Sequence, residues 1–360
     1  MNILFIAPYP KTIAPSQRFR FEHYLPDLEQ LNITWTYKTF VTGSDHKIMF
    51  KKGKSLHKAF IVIKGFLRRT ALIFTLKKYD VVFVHREASL LGPPVFEWLI
   101  AKVWRKKMIY DFDDAIWVPT ASAANPIAAS IKCAWKVAKI CRWSTIVSVG
   151  NQYLANYAKQ FCNDVRIIPT VVDTEASHNT IKNQDEPSLT IGWTGTFTNF
   201  VNLPLVLSSM RRLQEKYTFE FLIIADKDPL LDNIRYTFLK WNKATEITDL
   251  LKMNIGIMPL LKKEIQLGKC AFKAIQYMSL GIPAVVSPVG TNCEVVQDKV
   301  NGYWADNDEE WYNALEKLLL NTNERFEMGK LAKELIESKY SVIATKDMFI
   351  NLFRQPAEKI

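Results

Sequence analysis

The chain alternates short apolar runs with longer amphipathic stretches, and this pattern occurs twice along its length. It is typical of parallel sheets with helices on both faces, because strands buried on both faces are continuously apolar. The first series predicts strands at 2–7, 34–40, 81–85, 108–110, 145–149 and 166–168, with helices near 17–31, 55–77, 93–105, 126–142 and 151–160. The second series predicts strands at 189–193, 220–224, 235–239, 255–258, 284–287 and 302–305, with helices near 202–216, 244–252, 271–280, 308–320 and 323–338.

A polar stretch, residues 174–187, separates the two series, has almost no large apolar residue and ends in proline. It predicts a linker. We therefore expect an N-terminal Rossmann-like domain over 1–173, a C-terminal one over 188–339, and a final segment, 340–360, whose helix could return to the first domain. The fold class is then α/β, with two Rossmann-like domains facing each other across a cleft. Ligands of such sheets bind at the carboxyl ends of the strands.

Composition excludes several classes of protein. Hydrophobic residues make up 48% and charged residues 23%, which is typical of a globular chain. The N-terminus lacks the features of a signal peptide, and no apolar run approaches the roughly 20 residues of a membrane span. Five dispersed cysteines without a CxxC pair and five dispersed histidines argue against a disulfide framework or a metal cluster. We expect a cytoplasmic protein that is soluble or peripheral to a membrane.

The net charge of +11 is concentrated in the first half of the chain, since residues 1–175 hold 25 of the 47 basic residues but only 13 of the 36 acidic ones. The segment 47–78 has no acidic residue and alternates basic with bulky apolar side chains, which favours a helix on the anionic inner face of the cell membrane. The alternative is a solvated basic helix whose apolar stripe is core. Nucleic acid is a weaker candidate because no binding motif accompanies the charge. The basic residues within this segment are Lys51, Lys52, Lys54, Lys58, Lys64, Arg68, Arg69, Lys77 and Lys78.

The strongest chemical signal lies between 258 and 294, where a strand, a helix from about 271 to 280 and a second strand are followed by a turn at 288–292. A helix N-terminus together with the amides of a small-residue turn favours anion binding. Lys269 and Lys273 lie at the predicted helix start, and Gln276 shares a face with Lys273. This face could hold a diphosphate and a ribose. The alternative is a pair of solvent-facing lysines.

This segment resembles the donor-binding core of glycosyltransferase family 4. The matching residues are Gln276-Tyr277-Met278-Ser279-Leu280-Gly281-Ile282-Pro283 and Gly290-Thr291-Asn292-Cys293-Glu294. The resemblance extends over nearly the whole chain, although only this part is highly specific. It implies the GT-B fold and transfer of a sugar from a nucleoside diphosphate sugar to a hydroxyl of a lipid-linked or polysaccharide acceptor in cell-surface glycan synthesis. It also implies retention of configuration and no cofactor or metal ion besides the nucleotide sugar.

The chain departs from the family's Glu-x7-Glu motif, since Gly268 and Gln276 stand where the two glutamates would be. It therefore resembles a divergent branch. Glutamine still hydrogen-bonds a ribose hydroxyl but supplies no charge, and Glu264 is a candidate substitute for the first glutamate. The donor-binding residues implied by the resemblance are Gly192, Trp193, Thr194, Gly195, Thr196, Lys269, Lys273, Gln276, Gly290, Thr291, Asn292 and Glu294.

The N-terminal loop offers cations for the diphosphate. Ser16 or Gln17 is predicted to start a helix, with Arg18 and Arg20 in its first turn. Arginines at that end oppose the helix dipole at a cost of about 0.3–1 kcal/mol, and this placement indicates an anionic ligand.

Acidic residues follow a buried strand in the N-terminal half: Asp111, Asp113 and Asp114. They could bind a metal, act as a base or orient acceptor hydroxyls. The resemblance sets Asp113 and Asp114 against the family's His-Asp pair at the catalytic centre, so we rank acceptor activation or orientation above metal binding.

A second cluster, His85-Arg86-Glu87, ends another strand. By resemblance His85 lies on the acceptor side, although a lone histidine is more often structural.

Two other functions compete with glycosyl transfer. One is a non-catalytic sugar-nucleotide-binding subunit that lost activity with the two glutamates. The other is an epimerase or phosphorylase of the same fold.

Overall fold

The computed structural model describes residues 1–49, 53–118 and 133–354. The described part of the chain forms two compact units. The first comprises residues from Met1–Thr170 and Thr345–Ile360, and the second is Val171–Ala344. The predicted residues Lys51 and Lys52, and residues 126–132 of the helix predicted at 126–142, lie outside the described residues.

The first unit is built on a six-stranded, fully parallel sheet, in the order β2-β1-β3-β4-β5-β6. Each strand is a short apolar run buried on both faces, except β2 and β6 at the two edges. The strands are β1 (Asn2–Ala7), β2 (Thr34–Thr39), β3 (Val81–His85), β4 (Lys107–Phe112), β5 (Ile146–Val149) and β6 (Val165–Ile167).

Seven described α-helices connect these strands: α1 (Pro15–Arg18), α2 (Leu25–Gln30), α3 (Gly43–Met49), α4 (Ser55–Ile73), α5 (Val95–Trp98), α6 (Lys136–Trp143) and α7 (Gln152–Ala158). Short 3-10 turns occupy Glu22–Tyr24 and Leu76–Lys78, and a π-helical turn, Leu99–Val103, extends α5. The single helix predicted at 17–31 is wrong. The chain leaves helical geometry near Phe21 (φ −136°), and a new helix starts at Leu25 with Pro26 in its first turn.

Aromatic side chains form the core on one face of this sheet. Phe5 stacks on Phe21 at 5.4 Å between ring centroids and contacts Phe83 at 5.1 Å. The last described residues complete it, since Phe353 lies 6.0 Å from Phe5 and Phe349 stacks on Tyr24 at 4.4 Å. The Tyr24 hydroxyl also hydrogen-bonds the Thr345 hydroxyl at 2.7 Å. Residues 345–354 therefore belong to the core of the first unit.

Helix α4 has two apolar sides. Ile61, Gly65 and Leu72 face the unit's interior, and the guanidinium of Arg69 donates to the carbonyls of Ala88 (2.6 Å) and Ala7 (2.9 Å). Burial lowers the pKa of Arg69 to about 9. This corrects the sequence interpretation of Arg69, which is buried and hydrogen-bonds backbone carbonyls instead of facing a membrane. The opposite side exposes Leu56, Phe60, Ile63, Leu67 and, just beyond the helix, Phe74.

The second unit repeats the architecture with the strand order β12-β11-β10-β7-β8-β9, also fully parallel. Its strands are β7 (Thr190–Gly195), β8 (Glu220–Ala225), β9 (Thr237–Lys240), β10 (Ile255–Met258), β11 (Ala284–Val286) and β12 (Gly302–Trp304). Its helices are α8 (Pro204–Lys216), α9 (Glu246–Leu250), α10 (Glu264–Leu267), α11 (Phe272–Ser279), α12 (Asn292–Val295), α13 (Asp308–Leu320) and α14 (Thr322–Lys339), with 3-10 turns at Phe197–Asn202 and Lys243–Thr245. The last described helix, α15, spans Val342–Ile350.

The segment 174–187, for which a linker is predicted, packs within the second unit. The Lys182 amide donates to the Leu280 carbonyl at 2.8 Å. Gln184 is buried, and its side-chain amide donates to the carbonyls of Asn254 (3.2 Å) and Gly281 (3.3 Å). A polar sequence is consistent with this path because its side chains hydrogen-bond the backbone ends of β10 and α11.

Candidate functional site

The carboxyl ends of β3, β4 and β5 meet at a buried polar network centred on Asp111. Its carboxylate accepts hydrogen bonds from Arg20 (Nη2–Oδ1 2.5 Å) and from the Ser148 hydroxyl (2.8 Å). It also lies 2.8 Å from Nδ1 of His85. Arg20 additionally donates to the Ile168 carbonyl. The network exists because adjacent parallel strands end side by side, with His85 paired in register with Asp111.

Burial by itself raises the pKa of Asp111, but the charge of Arg20 and the bond from His85 outweigh it and hold that pKa below its usual range. Asp111 is therefore an ionised internal anchor. This corrects one expectation, because Arg20 is directed into the interior instead of towards an anionic ligand. Asp111 lies within β4, whereas Asp113 follows its end at Phe112.

His85 is completely buried, and its ring packs against Phe21 at 5.4 Å between centroids. Asp111 binds Nδ1, while Nε2 has no hydrogen-bond partner within the described part of the chain. The carboxylate thus fixes the orientation of the imidazole. The structure therefore places His85 in the interior, bonded to Asp111.

Asp113 and Asp114 form the partly exposed part of the cluster, with side-chain exposures of 12% and 25%. Oδ1 of Asp113 accepts two bonds from Arg86, from Nε at 2.9 Å and from Nη2 at 2.7 Å. Asp114 lies 3.6 Å from the same guanidinium. Burial raises the pKa of Asp113, but Arg86 reverses this and lowers the pKa overall. Burial lowers the pKa of Arg86, and the two carboxylates more than compensate, so that pKa is raised.

The loop after β3 holds Arg86 in this position. Arg86 adopts a left-handed backbone (φ 57°), and its amide donates to the Asp111 carbonyl at 2.7 Å. Its carbonyl accepts from the Tyr110 hydroxyl, also at 2.7 Å. Glu87 forms an ion pair of 2.6 Å with Lys136 of α6. Strain of this kind at a non-glycine residue persists where the surroundings fix it, and such residues are concentrated at functional sites.

An aromatic stack that the sequence interpretation missed lies beside the acidic cluster. Trp117 stacks on Tyr157 of α7, with 3.6 Å between centroids and 5° between planes, and lies 5.8 Å from Tyr153. All three side chains are partly exposed. The i, i+4 spacing of the two tyrosines on a helix is the only sequence signal for it.

The N-terminal loop does not lead into the long helix predicted from Ser16 or Gln17, and Arg20 lies beyond the short helix that forms instead. Helix α1 has a single turn with Ala14 as N-cap and Pro15 at its first position, so Ser16 and Arg18 lie inside that turn. The buried Gln17 fastens the loop instead, since it exchanges hydrogen bonds with the Tyr9 amide (2.9 Å) and carbonyl (3.0 Å).

In the second unit, the start of α11 lies against the end of β7. A Cβ added to Gly195 would be 2.9 Å from Cε of Lys273, and the ammonium of Lys273 lies 5.3 Å from the centroid of the Trp193 ring. The same Cβ would lie 2.5 Å from the indole of Trp193, so the buried ring of Trp193 restricts position 195 to glycine. Lys273 thus lies at the carboxyl edge of the sheet, beside a helix N-terminus.

The turn after β11 packs onto the loop that precedes α11. Gly290 has a left-handed backbone (φ +55°), and a Cβ there would be 3.1 Å from the Leu267 carbonyl. The side chain of Asn292 donates to the Ser287 carbonyl at 2.9 Å, which closes the turn. Thr291 is buried and Glu294 is exposed.

Several predicted donor-binding residues turn out to be core. Trp193 is buried in the hydrophobic core. Gly192 lies against the side chain of Met253, and a Cβ at position 192 would overlap that side chain. The Thr194 amide is occupied by the Tyr277 hydroxyl at 2.9 Å, and the Asn292 amide by the Val289 carbonyl at 3.2 Å. The sequence of an apolar strand or of a turn does not show which backbone amides already have a hydrogen-bond partner within the protein.

The other predicted residues of this region are accessible, except Thr291 and Gln276, which are buried. Thr196 is exposed, and Lys269 and Lys273 are partly exposed, while Gln276 is 4% exposed on the same helix as Lys273. No group of three or more His, Cys, Asp or Glu that could hold a metal ion occurs among residues 1–49, 53–118 and 133–354.

Solved structures of the same architecture align over nearly the whole chain. A sucrose-phosphate synthase from Thermosynechococcus elongatus aligns with a TM-score of 0.70 at 12% identity, over 99% of this chain and 98% of that chain. A glycosyltransferase from Rickettsia africae ESF-5 aligns with a TM-score of 0.69 at 12% identity, over 100% and 99%. The Anabaena protein HepE, in complex with UDP-glucose, aligns with a TM-score of 0.67 at 14% identity, over 98% of both chains. The predicted GT-B fold is confirmed.

Residues 188–321, which lie in the second unit, match the family model described as glycosyl transferases group 1. No curated protein sequence matches the chain. The family match and the shared fold together support a glycosyltransferase of the GT-B fold.

Proposed function

We propose that the protein transfers a sugar from a nucleoside diphosphate sugar to a hydroxyl of a lipid-linked or polysaccharide acceptor, with retention of configuration. The observation that carries the proposal is Lys273 beside Gly195 at the start of α11, within the region that matches group 1 glycosyl transferases. HepE was crystallised in complex with UDP-glucose, and a UDP-sugar is accordingly the first donor to test.

The diphosphate is assigned to the second unit. Lys273 and Lys269 supply positive charge, and the N-terminus of α11 adds the partial charge of its amides. Gln276, one turn further along α11, is assigned to a ribose hydroxyl. The side chains of Thr196 and Glu294 are accessible for further hydrogen bonds to the donor.

The acceptor hydroxyl is assigned to the first unit, at Asp113 and Asp114. Both carboxylates are partly exposed, and Arg86 keeps them oriented. A carboxylate held in this way accepts a hydrogen bond from a hydroxyl and orients it. Since the carboxylates of Asp111 and Asp113 are each bound by a guanidinium, a metal ion would have to compete with Arg20 and Arg86 for them, and we propose a reaction that needs no metal.

The protein is further proposed to act at the inner face of the cell membrane, bound through α4. The exposed apolar residues of α4 recur at intervals of four, three and four residues along one side of the helix, from Leu56 to Leu67. Lys54 and Lys64 are exposed next to them. Apolar insertion combined with basic charge fits an anionic lipid surface. Among the described residues, none of the helices is long and apolar enough to cross a bilayer.

A thermal-shift screen with UDP, GDP, ADP and CMP, and with their sugars, tests the donor. A nucleotide at 100 times its Kd stabilises the folded protein by about 2.7 kcal/mol. We expect one diphosphate nucleotide to raise the Tm in the presence of EDTA. If none raises the Tm with or without magnesium, the protein is not a nucleotide-sugar enzyme. If the Tm rises only with magnesium, the metal-free mechanism is wrong.

Turnover of the stabilising donor distinguishes transfer from the competing functions. Asp113→Ala should abolish glycoside formation and leave the nucleotide-induced rise in Tm unchanged, because Asp113 lies in the first unit. Asp164→Ala, at a partly exposed carboxylate paired with Arg166, is the matched control and should retain activity. Release of sugar isomers without a glycoside would identify an epimerase. Binding without any product would identify a non-catalytic subunit.

A further inference from the structure

A small cavity of about 170 Å³ opens on the first unit between the start of α5 and helix α6. Trp98 and Trp135 are 44% and 50% exposed, so the lining is reachable from solvent. Lys139 provides the one charged group among the described lining residues, which are Pro93, Pro94, Val95, Trp98, Trp135, Lys139 and Trp143.

The size and lining of the cavity select its occupant. It is smaller than the roughly 300–1,000 Å³ of pockets that enclose whole drug-sized ligands, so a nucleotide sugar does not fit. A sugar ring would give up its bonds to water and find few partners on a lining of prolines, valine and indole faces. A segment of hydrocarbon chain loses nothing on leaving water and gains the contact with the rings.

Charge determines the other end of the ligand. Lys139 is exposed, and its ammonium lies 4.7 Å from the centroid of the Trp135 ring at the cavity wall. An anionic group attached to a hydrocarbon chain meets this cation at the rim while its chain fills the cavity. A neutral chain would leave the cation unused.

The cavity is also connected to the proposed acceptor site. On the same helix, Lys136 pairs with Glu87 at 2.6 Å and donates to the Ser89 carbonyl at 3.1 Å. The loop from 86 to 94 therefore begins with Arg86, which holds Asp113, and ends with Pro93 and Pro94 in the cavity wall. The cavity and the acidic cluster are fixed to each other through one loop.

The cavity lies on the same face of the sheet as the exposed side of α4. Helices α4, α5 and α6 each connect strands through right-handed crossovers in one direction along the sheet, which places them on one face. Helix α5 contacts both of its neighbours, and Phe66 of α4 lies 5.9 Å from Phe96 of α5. A lipid that enters the cavity thus approaches from the side proposed to contact the membrane.

We infer that this tryptophan-lined cavity binds the hydrocarbon chain of a lipid phosphate, with Lys139 at the phosphate, and so holds the lipid part of the acceptor. The inference rests on the proposed function for the identity of that lipid as acceptor. The binding itself is independent of sugar transfer.

Calorimetric titration of the full chain with decyl phosphate, below its micellar concentration, tests the site. Decanol, inorganic phosphate and methyl glucoside serve as comparison probes. We expect decyl phosphate to bind and the double variant Trp98→Ala/Trp135→Ala to weaken its binding at least tenfold. Lys139→Gln should weaken decyl phosphate about fivefold and leave decanol unchanged. Trp304→Ala, a partly exposed tryptophan of the second unit, is the matched control and should bind normally.

Val95→Asp is a second test in case the tryptophan variants lose structure. Val95 is 48% exposed, so the variant should fold and yet repel an anionic lipid. Equal binding of decyl phosphate by all variants would overturn the inference. Binding of inorganic phosphate as tight as that of decyl phosphate would show an anion site, and binding of methyl glucoside that depends on Trp135 would show a carbohydrate site. Either result contradicts the assignment.

Titration with UDP in parallel separates the two hypotheses. Loss of decyl phosphate binding with normal UDP binding removes the cavity inference alone. Normal decyl phosphate binding without any nucleotide binding removes the proposed function and leaves a lipid-phosphate site.

Discussion

Arg20 and Asp111 form an ion pair that is almost completely removed from solvent, with 2.5 Å between Nη2 and Oδ1 and exposures of 1% and 2%. The pair joins the loop after β1 to the end of β4, and His85 and Ser148 complete the bonding of the carboxylate. Such a pair is weak evidence for net stabilisation, but loss of one partner leaves a buried, uncompensated charge.

We expect Asp111→Ala to lower the free energy of unfolding of the first unit by about 3–5 kcal/mol, because Arg20 then remains buried without its counter-charge. Urea denaturation followed by circular dichroism measures the change. Asp114→Ala is the matched control, since its carboxylate is partly exposed and 3.6 Å from Arg86, and it should cost less than about 1 kcal/mol. Similar losses in both variants would contradict the internal role of Asp111.

The same pair predicts a pH dependence. The pKa of Asp111 is lowered in the folded state, so its contribution is fully present above its unfolded pKa of about 3.9. It is lost progressively as the pH falls below that value towards the folded-state pKa. Between pH 5 and pH 3 we expect the Tm of the wild type to fall more steeply than that of Asp111→Asn. Parallel curves would show that Asp111 does not contribute in this window.

Lys273→Ala should raise the Kd for the nucleotide diphosphate. A hydrogen bond to a charged group contributes about 1.5–3 kcal/mol, which corresponds to roughly 10- to 150-fold in Kd. Calorimetry measures the change, and the Tm without ligand should stay close to that of the wild type because Lys273 is partly exposed. Lys262→Ala, at an exposed lysine paired with Asp306, is the control. An unchanged Kd for Lys273→Ala would move the diphosphate site elsewhere.

Gly329→Ala should destabilise the second unit, although alanine is the better helix former by about 1 kcal/mol. A Cβ at position 329 of α14 would be 2.1 Å from the carbonyl oxygen of Gly281, so backbone would have to move. Overpacking of this kind costs about 1–3 kcal/mol. Gly43→Ala, at a helical position with nothing within 4 Å, should be neutral or slightly stabilising. Thermal unfolding compares the two, and a gain in stability for Gly329→Ala would contradict this close packing of the backbones.

Phe60→Gln/Leu67→Gln should reduce binding to vesicles of phosphatidylcholine with phosphatidylglycerol, because both side chains are exposed on the outer side of α4. Lys64→Gln should weaken binding to these vesicles about fivefold, since each basic residue near an anionic surface contributes about 1 kcal/mol. Leu320→Gln, at an exposed leucine of the second unit, is the control. Flotation in a density gradient measures the bound fraction. Equal flotation of all variants would exclude α4 as the membrane contact.

Much of the fold follows from local pattern. All twelve described strands overlap the predicted ones, and most of them are uninterrupted apolar runs because they are buried on both faces. The helix predicted at 17–31 is wrong because the chain leaves helical geometry at Phe21, which packs on Phe5, and a new helix starts before Pro26. The turn at Gly290 could be predicted from its cluster of small residues. Glycine is needed there because the backbone is left-handed and lies close to the Leu267 carbonyl.

The roles of individual site residues were less predictable. The sequence predicts that His85 and Asp111 both lie at strand ends. They meet because the parallel strands β3 and β4 are neighbours in the sheet, with His85 in register with Asp111. It does not show that Arg20 turns inward to neutralise Asp111, since that requires the loop path after β1. The cavity of Trp98 and Trp135 was equally invisible, because its two walls are 37 positions apart in the chain and meet only through α5 and α6.

The sequence by itself determined two parallel α/β units, the basic character of the first half and the resemblance of 258–294 to a donor-binding core. Only the tertiary structure decided which polar groups are available. Asp113 and Lys273 remain accessible, whereas Asp111, Arg20 and the amide of Thr194 are bonded internally. The physical reason is that hydrogen-bond satisfaction depends on which strands and loops become neighbours, and a one-dimensional pattern of apolar and polar residues does not contain that information.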